Sequence, residues 1–208
     1  MVKIPVAEFA LEAEAQLLPG APGAVVCHPH PAFGGRMDTP LVLDLAEALG
    51  AAGLSTVRFN FRGLDGSGGT ATGGLREHED VIAVATWLRA AGAPRVALVG
   101  YSFGSLMAAR ALAEGCDAFA FVAVGLPTTI IGEDRERVGH VEAALARGVP
   151  SLFIAGDEDQ FCEIERIAGW IAGSAWARQE IMRGYGHFFA DEQSRQVCTR
   201  VAEFVRQC

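Results

Sequence analysis

The sequence predicts an α/β fold, a single domain over residues 1–208 with a mainly parallel sheet flanked by helices. Short apolar runs rich in β-branched residues recur along the chain, and stretches with helical spacing separate them. A parallel strand needs a crossover long enough to hold a helix, so this alternation is what successive βαβ units leave in a sequence. No repeat, low-complexity tract or long linker interrupts it.

Phe9 to Leu17 alternates in part and stops at the turn-forming Pro19-Gly20, which predicts a strand at the sheet edge. Ala24 to Cys27 is the first core strand. Asp38-Thr39-Pro40 then reads as a helix cap with proline in the first turn. Leu41, Leu45, Ala48 and Leu49 share one face behind it, and Gly50 lies near the end. Ser55 to Phe61 is the next strand. Val81, Val84, Ala85 and Leu88 form a second helical face after Glu77, Glu79 and Asp80, carboxylates that suit the positive end of a helix dipole. Val96 to Tyr101, Phe119 to Gly125, Ser151 to Gly156 and Arg178 to Arg183 complete the strands, and Val197, Val201, Phe204 and Val205 mark a C-terminal helix. Between Pro127 and Pro150 there is room for a short helix but not for a separate cap domain.

Composition removes several classes of function. Half of the residues are hydrophobic, enough for a sizeable core, and the net charge of −8 disfavours phosphate backbones and anionic membranes as partners. No basic segment followed by an apolar run opens the chain, and no apolar run approaches the roughly 18 residues of a membrane span. The expectation is a cytoplasmic protein with no nucleic-acid or membrane partner. Cys27, Cys116, Cys162, Cys198 and Cys208 are odd in number, widely spaced and without a C-x-x-C pair, which predicts free thiols rather than disulfides or zinc.

Chemistry concentrates around Ser102. The segment from Val96 to Leu112 runs from an apolar strand through Gly100-Tyr101-Ser102-Phe103-Gly104 into a helix-forming stretch. Joining strand to helix within one residue crowds both flanks, and glycines at 100 and 104 relieve that crowding. Such a turn exposes the hydroxyl above the sheet and leaves the Phe103 amide at a helix N-terminus, where it faces negative charge. In a chain with 25 glycines the G-x-S-x-G pattern alone says little; the strand before it and the helix after it carry the reading.

A neutral hydroxyl needs a base, and the base needs an orienting acid. Two further loops follow strand ends: Gly156-Asp157-Glu158-Asp159 and Gly184-Tyr185-Gly186-His187-Phe188-Phe189. In an open α/β sheet that edge is where ligands collect, so Ser102, one of the two aspartates and His187 can converge there. His78 and His140 lie in polar, helical segments and are expected at the surface. His28 and His30 sit in the loop from His28 to Gly35, which prolines stiffen and paired glycines open to a ligand; no neighbouring carboxylate or cysteine completes a metal set.

This combination resembles the α/β-hydrolase superfamily, and more narrowly the small, cap-less serine hydrolases close to the dienelactone hydrolases. The resemblance spans nearly the whole chain. Beyond Gly-Tyr-Ser-Phe-Gly it rests on the His-Pro-x-x-x-x-Gly-Gly loop, on Arg58-Phe59-Asn60-Phe61-Arg62-Gly63, on Glu77-x-x-Asp80 and on His187-Phe188-Phe189. It implies cleavage of an ester or related acyl bond of a small molecule through an acyl-enzyme on Ser102, with no cofactor and no metal. His187 would be the base. The family's Gly-x-x-Asp spacing points to Asp159 as the acid. Oxyanion donors would be the amides of Phe103 and Ala32, with His30 or Phe33 replacing Ala32 if the loop register differs.

Two departures stand out. Asp65 occupies a position where relatives commonly carry glycine, and position 102 is serine where dienelactone hydrolases proper use cysteine, so their ring-opening specificity does not transfer. Asn60 and Arg62 are expected to hold their loop rather than touch substrate. Peptidase, thioesterase and acyltransferase chemistry share the same machinery, and a non-catalytic binding protein on this fold is the rival outside enzymes.

Overall fold

A computed structural model of the protein describes residues 1–131 and 135–208. In chain order the strands are β1 (Val2–Val6), β2 (Phe9–Gln16), β3 (Gly23–Cys27), β4 (Ser55–Phe59), β5 (Val96–Tyr101), β6 (Ala120–Val124), β7 (Ser151–Gly156) and β8 (Ala177–Met182). The helices are α1 (Pro40–Ala51), α2 (Glu77–Ala90), α3 (Phe103–Ala113), α4 (Thr128–Ile131), α5 (Arg135–Ala146), α6 (Ile164–Ile171) and α7 (Asp191–Gln207). All eight strands join one sheet in the order β1-β2-β4-β3-β5-β6-β7-β8. The first two pairings are antiparallel and the rest parallel.

Every residue of β3, β5, β6 and β7 is buried, because helices cover both faces of the sheet. The strand period of two divides the core. Val25, Cys27, Leu98, Phe121 and Phe153 pack towards Val84 and Leu88 of α2 and the apolar side of α3. Ala24, Val26, Ala97, Val99 and Val122 point the other way, to Leu41 and Leu45 of α1 and Val197 and Val201 of α7. The three helical faces read from spacing are therefore the faces that seal the sheet.

One expectation needs correcting. The alternation from Phe9 predicts an edge strand, but β2 lies between β1 and β4, and β1 takes the edge. Val2–Val6 escapes a reading by pattern because it is short and contains Pro5. Proline lacks the amide that a central strand needs and is tolerated at an edge.

The long loop between β4 and α2 is held by buried polar groups. Asp80 is fully buried and accepts from the Arg62 amide at 2.9 Å, while Arg62 Nε and Nη2 donate to its other oxygen at 2.9 and 2.6 Å. Asn60 accepts from the Met37 amide at 2.9 Å and donates to Glu12 at 2.9 Å. Both residues thus hold the loop, as their positions led one to expect. Asp65 has φ +47°, the left-handed region that favours glycine; aspartate is among the side chains that tolerate it, and Arg36 lies 3.3 Å from its carboxylate.

Glu77 and Asp80 do more than complement a helix dipole. The buried Glu77 carboxylate reaches back to accept from the Thr72 hydroxyl and the Gly74 amide, each at 2.7 Å. Burial opposes its ionisation, but these hydrogen bonds hold its pKa below the ordinary glutamate value. His78 also departs from expectation. It is buried against the end of α3, with Nε2 2.9 Å from Glu114.

Candidate active site

β5 ends at Tyr101, α3 begins at Phe103, and Ser102 between them has φ +53° and ψ −119°. Strain of this kind costs about 1–3 kcal/mol and persists only where the surroundings enforce it. Here the Ser102 amide donates to Val124 O at 2.8 Å, tying the turn to β6. The flanking glycines are obligatory. A Cβ at Gly100 would lie 2.4 Å from the Gly104 carbonyl, and one at Gly104 would lie 2.3 Å from Cys27 O. The start of α3 therefore rests directly on β3 and β5.

Loops from two more strand ends complete the group. Ser102 Oγ is 3.0 Å from His187 Nε2, and His187 Nδ1 is 2.8 Å from Asp159 Oδ2. All three residues are buried, so the pair of hydrogen bonds lies away from bulk water. Tyr101 donates its hydroxyl to His187 O at 3.0 Å, and burial, reinforced by Asp159, pushes that phenol's pKa up, keeping it a donor. Asp159 Oδ1 accepts from the Phe161 amide at 2.8 Å. Asp157 is differently employed: its Oδ1 accepts from the Gly184 amide at 2.6 Å, which links the loops after β7 and β8.

The sequence marks Gly125 only as a strand terminus, yet it borders the site at the end of β6. It has φ +56°, and a Cβ there would lie 3.3 Å from His187 Cε1 and 3.5 Å from Asp159 Oδ2. Phe161 packs on the imidazole at 4.9 Å between ring centres and lines the cavity. Cys162, its neighbour in the chain, instead turns into the core. Burial, reinforced by Asp159 and Glu163, pushes its thiol up to about 12, which keeps it from acting as a thiolate.

In the loop after β3 the Ala32 amide already has a partner. Its amide donates to His30 Nδ1 at 3.1 Å, and the Phe33 amide donates to His30 O at 3.0 Å. Both close a single 3-10 turn at Pro31–Phe33. Of the three amides open in the sequence, the His30 amide alone has no such partner among the described residues. The Phe103 amide, at the first position of α3, is likewise unengaged among the described residues.

His28 is structural. It is fully buried, donates through Nδ1 to Pro29 O at 2.7 Å and must accept through Nε2 from the Phe61 amide at 3.1 Å, which fixes the neutral tautomer. Burial pushes its pKa down to about 4. The unfolded chain takes up this proton near pH 6.5 while the folded chain refuses it until about pH 4. The associated stability is complete above pH 6.5 and is lost as pH falls towards 4, a contribution of about 3 kcal/mol at 1.36 kcal/mol per pH unit. Urea midpoints should fall over this range; midpoints that stay level from pH 7 to pH 4 would remove His28 as the acid-sensitive group.

Above Ser102 opens a cavity of about 560 Å³, within the usual range for small-molecule sites. Phe103, Leu106, Met107 and Arg110, one face of α3, run along it. Phe33, Leu75, Ile130 and Phe188 stand exposed around it. His140 of α5, expected at the surface, lines the cavity together with Glu136 and Arg137. Among the described residues no cluster of three or more His, Cys, Asp or Glu side chains is placed to hold a metal, and no helix is long and apolar enough to cross a membrane.

A family model of the alpha/beta hydrolase domain matches residues 22–204. The chain belongs to the α/β-hydrolase family. Within it, an α/β serine hydrolase homologue from Coxiella burnetii superposes with a TM-score of 0.81 at 27% identity, over 96% of this chain and 95% of that one. An α/β serine hydrolase without lid from Xanthomonas campestris gives 0.80 at 24% identity, over 99% and 93%, a likeness of fold. An uncharacterised protein of Rickettsia prowazekii is 27% identical over 180 residues, 82% of this chain and 73% of the relative. In this α/β hydrolase α4 and α5 lie between β6 and β7, with no additional domain among the described residues.

Proposed function

We propose that the protein is a serine hydrolase that cleaves an ester or related acyl bond of a small molecule through an acyl-enzyme on Ser102. The observation that carries this reading is the buried chain from Ser102 Oγ through His187 to Asp159, with hydrogen bonds of 3.0 and 2.8 Å. In this mechanism His187 Nε2 takes the serine proton as Oγ attacks the carbonyl carbon, then returns it to the leaving-group oxygen. Water repeats the sequence on the acyl-enzyme. Asp159 holds the imidazole with Nδ1 protonated and stabilises the imidazolium. The carbonyl oxygen, negative in the tetrahedral intermediate, is met by the amides of Phe103 and His30, a contribution of about 3 kcal/mol per donor in well-studied cases. His30 takes the role first expected of Ala32, whose amide is engaged by the His30 ring.

A fluorophosphonate probe tests the reading directly, because it phosphonylates an activated serine and leaves an ordinary one alone. The expected result is a single adduct on the peptide containing Ser102. A protein that binds an ester but takes no label is a binding module on a hydrolase fold.

A further inference from the structure

The cavity has two sides, and the proton path distinguishes them. His187 must return its proton to the leaving group, so the leaving group lies on the imidazole side, where Phe161 and Phe188 pack at 4.9 and 5.3 Å from the ring. The acyl substituent then extends over the opposite side, along α3. That side is an apolar floor of Phe103, Leu106 and Met107, spaced at three and four residues on one helix face. Gly74 walls it on one side: a Cβ there would touch Phe103 Cε2 at 3.4 Å and Met107 Cε at 3.6 Å, so its backbone packs directly against both side chains. The Glu77 hydrogen bonds to Thr72 and Gly74 hold this wall in place before any ligand arrives.

The floor ends at Arg110. Its Nε is 2.9 Å from Glu114, its Nη1 donates to Gly74 O at 3.3 Å, and Glu136 lies 3.9 Å from its Nη2. Methylene groups pushed past this point would strip water from paired charges without replacing it. About 11 Å of helix axis separates Phe103 from Arg110. An extended chain gains about 1.2 Å per bond and the arginine leans back towards the helix N-terminus, so the space suits about eight carbons.

Resting on the serine-hydrolase reading, we propose that the α3 floor beside Gly74 binds the acyl chain, that Arg110 ends it, and that the substrates are esters of unbranched medium-chain acids. The leaving group is held constant by using p-nitrophenyl esters from acetate to laurate. kcat/KM should climb at least about tenfold from acetate to hexanoate or octanoate, since each buried methylene is worth about fourfold, and should fall again at laurate. Met107→Trp fills the floor and should move the optimum to shorter chains; Arg110→Ala opens its end and should move it to longer ones. A merely structural defect lowers all esters together and leaves their ratios unchanged. A profile that is flat, or highest at acetate, in protein that still labels at Ser102 overturns the groove and leaves the hydrolase standing. Absence of both labelling and hydrolysis in folded protein overturns both.

Discussion

Ser102→Ala should cut ester turnover by about a million-fold, the scale of loss when a serine protease is stripped of its nucleophile. The fold should survive. The serine's own backbone bond to Val124 remains, and what the substitution removes is the side-chain hydrogen bond to His187. Alanine carries the same Cβ into the same left-handed conformation, so the turn is no more strained than before. His187→Ala should lose a similar amount, because without a base the hydroxyl keeps its proton. Rates on p-nitrophenyl butyrate, read beside melting temperatures, decide the matter. Turnover persisting in freshly purified Ser102→Ala protein with an unchanged melt would take this residue out of the mechanism.

Asp159→Asn should reduce turnover by about ten-thousand-fold, whereas Asp157→Asn should change it by no more than a few-fold. The two residues share one loop and differ by two positions, yet they face different partners. Asparagine at 159 keeps an acceptor for the Phe161 amide, so the loop holds. Towards His187 it offers an amide or a neutral oxygen, which favours the wrong tautomer or fails to support the imidazolium. At 157 the carboxylate serves the Gly184 amide, and an asparagine oxygen can accept that bond equally well. The reverse ranking, measured on one ester at neutral pH, would transfer the orienting role to Asp157.

Much of this site is legible in the chain because its demands are local. A strand that must turn into a helix within one residue leaves glycines on both sides of the serine, and loops that end parallel strands carry the other two groups to the same edge. The helical faces are legible for the same reason, since burial repeats at the helical period. What escapes is set by pairing across distance. β1 hides behind Pro5, and the interior position of β2 depends on its pairing with β4, which no local pattern records. His78 reads as surface among Glu77, Glu79 and Asp80, but that first turn faces a loop and a neighbouring helix. The engagement of the Ala32 amide by the His30 ring, which caps the turn of its own loop, is likewise invisible in the sequence. The position of Arg110, seven residues after Phe103 on one face of α3, is readable from spacing; the partners that make it an end wall come from Gly74 and Glu136.

Ser102, Asp159 and His187 follow β5, β7 and β8, and β8 is the last strand both in the chain and across the sheet. Synthesis proceeds from the N-terminus, so Ser102 leaves the ribosome long before His187 does. On the proposed serine-hydrolase mechanism, Ser102 lacks its proton acceptor until β8 docks along β7, and the growing polypeptide is without the means to attack acyl compounds. On that mechanism, reactivity at this hydroxyl marks finished folding, and a fragment ending before β8 should not display it.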